Sequence, residues 1–258
     1  MLSLDMTGKT IVVMGVANKR SIAWGIARSL HTSGAKLVFT YAGERFLKSV
    51  QELVQTLEGA EDSPIIMCDV ASDEAIAECF QTIEQQCGKI DGIAHCIAFA
   101  NREELDGEYL NTTRDGFLLA QNISSYSLTA VAKAARHMMN EGASIVTLTY
   151  LGGERVMPNY NVMGVAKASL EASVKYLAND LGPQGIRVNA ISAGPIRTLS
   201  AKGVGDLNSI LHVIEEKAPL RRANTTEEIG DVAAFLFSPL SRGMTGENLH
   251  VDSGYHIF

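Results

Sequence analysis

The stretch Thr10-Ile-Val-Val-Met14-Gly15-Val-Ala-Asn-Lys-Arg-Ser21-Ile22-Ala-Trp-Gly25 decides the fold. A short β-branched run stops at a glycine, a polar loop follows, and a helical pattern opens near Ser21 and runs to Thr32. A helix that starts just past a strand end offers free N–H groups and the positive end of its dipole to a pyrophosphate. Ser21 is the expected N-cap, its hydroxyl accepting from first-turn N–H groups. Gly15 lets the backbone approach the anion, and Gly25 lets the helix pack close to the sheet. The glycine spacing is not G-x-G-x-x-G, so on this piece alone a plain strand–helix turn stays open.

Outward from this stretch the same alternation recurs. Strand-like runs are Thr10–Met14, Lys36–Thr40, Pro64–Met67, Ile90–Cys96, Ser144–Leu148, Arg187–Ile191 and Asn248–Val251. Helical patterns between them include Ser21–Thr32, Asp73–Gln86, Thr113–Met139, Ala166–Leu181 and Thr226–Leu236. Strands apolar throughout and separated by helices predict a parallel sheet covered on both faces. Right-handed crossovers make it a doubly wound, Rossmann-type α/β sheet of seven strands. No repeat or Pro/Ser-rich linker divides the chain, so residues 1–258 are expected to form a single domain.

Composition agrees. The 258 residues are 46% hydrophobic and 20% charged, which suits a packed core and not disorder. A net charge of −7 gives no global reason to bind nucleic acid or an anionic membrane. No long uncharged apolar run predicts a membrane span, and the first residues read as a strand, not a signal peptide. Cys68, Cys79, Cys87 and Cys96 form no CxxC pair, so buried thiols in the cytoplasm and no metal site are expected.

Ligands of such sheets bind beyond the carboxyl ends of the strands. Tyr41-Ala42-Gly43-Glu44-Arg45 follows the second strand with no acid at its tip. Arg45 could pair with a 2′-phosphate and Glu44 would repel one, so NADH versus NADPH stays open with a lean to NADH. Asp69 could accept from an adenine amino group while Val70 covers the ring; Ser72 is the better cap for the next helix. Small residues at Ala98 and Ala100 would let a planar ring and its ribose lie against backbone. His95 reads as a strand histidine with satisfied partners. After the fifth strand come Tyr150 and then Asn159-Tyr160-Asn-Val-Met-Gly-Val-Ala-Lys167. On a helix, seven steps fall about 20° short of two turns, placing Tyr160 and Lys167 on one face roughly 10.5 Å apart.

These residues carry a family resemblance over nearly the whole chain. The most specific pieces are Gly15…Ser21-Ile22-Ala23, Cys68-Asp69-Val70, Pro158 through Leu170 with Tyr160 and Lys167, Ala193-Gly194-Pro195-Ile196-Arg197-Thr198-Leu199, and His250-Val251-Asp252. The chain resembles the short-chain dehydrogenase/reductases, and within them the bacterial type I enoyl-acyl-carrier-protein reductases. Commoner members of the superfamily place Tyr and Lys four apart; position 164 here is glycine, and Tyr-x6-Lys matches the enoyl reductase subgroup. Cys96, often Ser in that subgroup, and Ala42, glutamine in some members, are departures; the second bears on cofactor preference.

The resemblance implies NAD(P)H-dependent reduction of trans-2-enoyl thioesters at the last step of fatty-acid elongation. Tyr160, Tyr150 and Lys167 would be the catalytic group. Gly15, Ser21, Ile22, Ala42, Asp69, Val70, Ile97, Lys167, Ile196, Arg197, Thr198, Leu199 and Ser200 would bind the cofactor. Ala100, Tyr150, Tyr160, Val204, Leu207 and Ile210 would line the acyl site, with 195–217 as a lid segment. It also implies an acyl-carrier protein as partner and a homotetramer built through the long helices and the last strand. Around the lid, basic Arg197, Lys202, Lys217, Arg221 and Arg222 outnumber acidic Asp206, Glu215 and Glu216, a local excess suited to an acidic carrier. Two other readings are a carbonyl reductase and a non-catalytic dinucleotide-binding protein on the same fold.

Overall fold

The computed structural model describes residues 4–198 and 207–258, with the side chains of Leu207 and Asn208 left out. Seven strands form one parallel sheet: β1 (Thr10–Met14), β2 (Lys36–Tyr41), β3 (Ile65–Met67), β4 (Ile90–His95), β5 (Met139–Thr149), β6 (Arg187–Ala193) and β7 (Asn248–Val251). Their order is β3-β2-β1-β4-β5-β6-β7. The order reverses at β1, whose two neighbours are β2 and β4. The carboxyl ends of β1 and β4 are thus the switch point, beyond which ligands of such sheets bind.

Alternation along the strands divides the core. In β1, Ile11 and Val13 face one side, where α1 (Ile22–Thr32), α2 (Glu44–Val54) and α8 (Thr226–Phe237) cover the sheet. Val12 and Met14 face the other, against α3 (Asp73–Cys87), α5 (Ser127–Ala135) and α6 (Asn161–Leu181). Both faces are apolar because both are covered, which is why the strands read as unbroken hydrophobic runs. The chain is completed by α4 (Arg114–Gln121) and α7 (Leu207–Lys217).

Several local expectations are corrected. The 113–139 pattern is not one helix: α4 and α5 are joined by a π turn at Asn122–Tyr126, and a 3-10 turn at Arg136–Met138 precedes β5. β5 begins at Met139, earlier than its β-branched core suggests, because Met139 pairs with Ile90 across an irregular register. α6 begins at Asn161, not Ala166, with Tyr160 as its N-cap. Gly25 packs α1 not on the sheet but on α8. A Cβ there would stand 2.3 Å from the Thr226 carbonyl oxygen, and one at Gly230 would stand 2.6 Å from that of Gly25. The two glycines let the helix backbones touch. Ser72 does cap α3, accepting from Ala75 N at 3.2 Å.

Candidate active site

Gly15 leaves β1 with φ of +88°, a conformation that disfavours L side chains, and its absent Cβ would meet the Cys96 carbonyl oxygen at 2.1 Å. Glycine is thus required twice, by its dihedral and by the strand beside it. Ser21 occupies the N-cap of α1, but its hydroxyl donates to Asn18 O at 2.7 Å instead of capping the helix. The expected cap bond is absent because the loop carbonyl competes for the hydroxyl. The first turn, with half-buried Ile22, is left uncapped by any side chain. Such an end suits an anion: its first N–H groups carry no side-chain cap, and the loop into it leaves β1 at Gly15.

Beyond β2, Ala42 is exposed. Glu44 hydrogen-bonds the Tyr41 phenol, whose pKa is raised by burial first and then by that carboxylate. Arg45 is folded over the Phe46 ring, 4.6 Å from its centroid. Beyond β3, Asp69 is exposed and one of its oxygens already accepts from Ala71 N at 3.0 Å. Val70 is mostly spent in the core. Ile97 is half-buried against the same core cluster. After β6, Gly194 lies so close to Asp252 that a Cβ would stand 2.9 Å from its Cα. Ile196 and Thr198 are half-buried and Arg197 is exposed. Leu199, Ser200 and Val204, and with them much of the 195–217 segment, lie outside the described residues, as does the Leu207 side chain. Ile210 is half-buried on α7, which docks through buried Leu211 and Ile214.

The two phenols meet where β5 ends. The rings of Tyr150 and Tyr160 are 4.9 Å apart and edge-to-face at 72°. Tyr160 is set between Asn159 and Asn161, both at positive φ, +58° and +27°. Asparagine tolerates that region better than most residues. The Asn161 amide also donates to Gly107 O at 3.1 Å, holding the turn from the far side. Gly152 makes the slot for the phenol: a Cβ there would stand 2.4 Å from Tyr160 Cδ1. Gly164 is equally constrained, since its Cβ would meet the Gly152 carbonyl oxygen at 2.7 Å. A lysine four residues after Tyr160 would not fit. Ala100 and Tyr160 pack on one small cluster of Leu105, Ala120, Val162, Met163 and Ala166.

Lys167 lies within α6, 5% exposed, with Nζ donating to Leu148 O at 2.8 Å. Burial lowers its pKa to about 8, against smaller opposite contributions from Cys96 and Glu171. Burial pushes Cys96 up to about 12. Both phenols are raised above their ordinary values, Tyr160 by burial and then by Tyr150 and Glu171, Tyr150 by burial and then by Tyr255 and Asp252. His95 is fully buried between Thr147 Oγ1 at 3.0 Å and Ser127 Oγ at 2.9 Å, and is held neutral, down to about 3, by burial and by Lys167. It is a structural histidine.

Behind these groups lies a polar layer that the linear pattern does not reveal. Glu171 accepts from Thr149 Oγ1 at 2.5 Å, and its pKa is raised by burial. Glu154 takes Asn248 Nδ2 at 2.9 Å and His250 Nε2 at 2.8 Å, tying the Tyr150 turn to β7. His250 stacks on His256, centroids 4.1 Å apart, and His256 Nδ1 is 2.9 Å from Asp252. Besides His250-Val251-Asp252, the Gly152-Gly153 pair signals this layer in sequence: the second glycine makes room for Glu171. The basic excess near α7 is partly consumed. Arg222 is paired with Glu228 at 2.6 Å, and Arg221 donates to the Glu216 carbonyl. Lys202 lies outside the described residues.

A cleft of about 400 Å³ sits at the other end of the strands, near Lys9, Glu141, Arg187 and Arg242. Arg187 is spent there on the carbonyls of Leu236 and Ser241. None of the residues expected to be catalytic or to bind cofactor or acyl chain lines it. Among the described residues, no cluster of His, Cys, Asp and Glu could hold a metal ion.

The family model described as Enoyl-(Acyl carrier protein) reductase matches residues 15–256. The NADH enoyl-acyl-carrier-protein reductase FabI of Bacillus subtilis is 74% identical over 256 residues, covering 99% of each chain. The NADPH enzyme of Staphylococcus aureus is 60% identical over 253 residues, 98% of each. A crystal structure of the Bacillus cereus enoyl-acyl carrier protein reductase with NADP+ and indole naphthyridinone superposes with a TM-score of 0.96 at 72% identity, covering 98% of each chain. With the phenol pair, the buried lysine and the glycine at position 164 in place, the chain belongs to the enoyl-acyl-carrier-protein reductase family of the short-chain dehydrogenase/reductases.

Proposed function

We propose that this protein is an NADH-dependent enoyl-acyl-carrier-protein reductase that saturates trans-2-enoyl thioesters at the last step of fatty-acid elongation, acting as one dinucleotide-binding and catalytic unit. The observation that carries this reading is the Tyr150–Tyr160 pair over buried Lys167, with no room for a lysine at position 164.

Gly15, the uncapped turn at Ser21 and Ile22, and the Ile196–Thr198 exit would hold the dinucleotide phosphates and carboxamide; Ala42, Asp69, Val70 and Ile97 would border its adenosine and ring. Glu44, held by Tyr41, would repel a 2′-phosphate, which supports NADH. When bound, the cofactor supplies a hydride to the β-carbon of the substrate. Negative charge then gathers on the thioester oxygen. The Tyr160 hydroxyl donates to that oxygen, an interaction stronger in the transition state than in the ground state. Its raised pKa keeps it protonated at neutral pH, so it acts as a donor and not as a base. Tyr150 fixes the Tyr160 ring by its edge and walls the acyl site with Ala100. Lys167 is anchored on Leu148 O at 2.8 Å, and its remaining protons and its charge would hold the ribose hydroxyls. Its charge also favours the developing enolate, and a proton taken up at the α-carbon completes the saturated thioester.

The test is NADH absorbance with crotonyl thioester and, separately, with a simple ketone. Turnover of the thioester alone is expected. Turnover of the ketone alone would sink this reading in favour of a carbonyl reductase.

The acyl-carrier protein is the expected carrier, docking near α7. The cytoplasm is the expected compartment, since all four cysteines are free; no described helix is long and apolar enough to cross a membrane. A homotetramer is supported by apolar side chains left in water: Leu118 on α4 is 57% exposed and Tyr176 on α6 is 75% exposed, with Val165 and Tyr126 also exposed. The half-exposed edge strand β7 is a second unpaired surface. Light scattering should give the mass of four chains. The double substitution Val165→Glu and Tyr176→Glu should shed smaller species; an unchanged mass would remove this helix face from the interface.

A further inference from the structure

The π turn at Asn122–Tyr126 has no counterpart in the helical periodicity of the sequence. Such turns insert one residue into a helix and rotate the side chains that follow. Here the serines in and beside it point inward, each to a different element of the site. Ser124, 0% exposed, accepts from Phe99 N at 2.9 Å and donates to Phe99 O at 2.9 Å. Ser125 donates to Ser169 Oγ on α6 at 2.8 Å, two residues past Lys167. Ser127 stands against His95 at the end of β4.

The Phe99 bonds are the unusual ones. When β4 ends at His95, the chain loses its ladder partners, yet backbone groups near the core need satisfaction. One hydroxyl serves both groups of one residue, as a strand neighbour would. Ala98 and Phe99 themselves are exposed, so side-chain burial does little to hold this loop. The next residue, Ala100, packs on the cluster that also carries Tyr160.

We propose that Ser124 is a positioning residue for the acyl substrate: by pinning Phe99 through the π turn, it fixes the Ala98–Ala100 wall relative to the Tyr160 hydroxyl. This rests on the enoyl reductase reading of the site. A wall shifted by about 1 Å misplaces the thioester oxygen, and displacements of that size lower rates by up to roughly 10²-fold.

The test is a double-substitution cycle in the full-length enzyme, with kcat for crotonyl thioester, NADH affinity by fluorescence titration and Tm as readouts. Ser124→Ala is expected to lower kcat about tenfold, within the range for a misplaced reacting group. NADH affinity should stay within about twofold, because the hydroxyl bonds only the Phe99 backbone and none of the residues expected to hold the dinucleotide phosphates, ribose or carboxamide. In a Tyr160→Phe background, with no phenolic donor left to aim at, the same change should lower kcat less than about threefold. A merely structural serine would lower kcat by the same factor in both backgrounds, and that outcome overturns the proposal. So does a parallel loss of NADH affinity. If Ser124→Ala does not fold, Ser124→Cys, close in size and a weaker hydrogen-bonding group, carries the cycle with the same two outcomes. Wild type inert to enoyl thioester would instead sink the enoyl reductase reading, before any Ser124 variant is made.

Discussion

Tyr160→Phe is expected to lower kcat for an enoyl thioester by about 10²–10³-fold, the loss typical of removing one donor to a developing oxyanion. NADH affinity should be nearly unchanged. The substitution removes one oxygen and nothing else. The phenylalanine ring keeps the slot above Gly152 and the edge contact with Tyr150. The lost interaction exists fully only when charge has reached the thioester oxygen, so kcat should fall and KM should move little. Tyr150→Phe should cost far less, since the role assigned to that residue uses its ring and not its hydroxyl. Single-turnover NADH oxidation with saturating crotonyl thioester separates these outcomes. A loss under about fivefold for Tyr160→Phe would take the phenol out of the oxyanion role.

The difference between what the sequence reveals and what it hides lies in the range of the interactions. Strand positions were legible because burial on both faces leaves continuous apolar runs such as Ile11–Met14. Tyr160 and Lys167 were legible because their types and spacing are local. The start of α6 was not, since Gly164 and the β-branched Val162 and Val165 depress helix propensity. Tertiary packing of Val162 and Met163 outweighs that preference. The π turn was hidden because one inserted residue in a serine-rich stretch hardly disturbs the apolar period. Ser21 was placed correctly but its bond was not, because the competing Asn18 carbonyl depends on how the loop turns. The partner of Gly25 is hidden from the local pattern because α8 is about two hundred residues away. The layer of Glu154, Glu171, His250 and Asp252 is likewise assembled from the turn after β5, from α6 and from β7 and its exit, and Glu154 and Glu171 alone read as surface charges.

Lys167 gives the second large effect, and its sign distinguishes catalysis from stability. Two charge-assisted hydrogen bonds to ribose hydroxyls, at about 1.5–3 kcal/mol each, predict that Lys167→Met lowers kcat/KM for NADH by roughly 10²–10⁴-fold. The wild-type profile should show the same dependence by titration. With the Lys167 pKa lowered to about 8, kcat/KM for NADH should fall as pH rises through that value, because the free enzyme loses the ammonium. Its neighbours do not share the window: Cys96 sits near 12, His95 near 3, and both phenols above their ordinary range. Stability must run the other way. Between about pH 8 and the unfolded lysine value near 10.4, the unfolded chain binds more protons at this residue than the folded chain. Unfolding free energy at this site therefore rises with pH across the window while activity falls. Urea unfolding of the cofactor-free protein at pH 8 and pH 10, wild type against Lys167→Met, isolates that contribution, since the variant cannot titrate there. Lys167→Arg, charged throughout, should keep some activity and lose the alkaline limb. A wild-type kcat/KM for NADH flat from pH 7 to 9.5 would mean that the charge of Lys167 does not hold the cofactor.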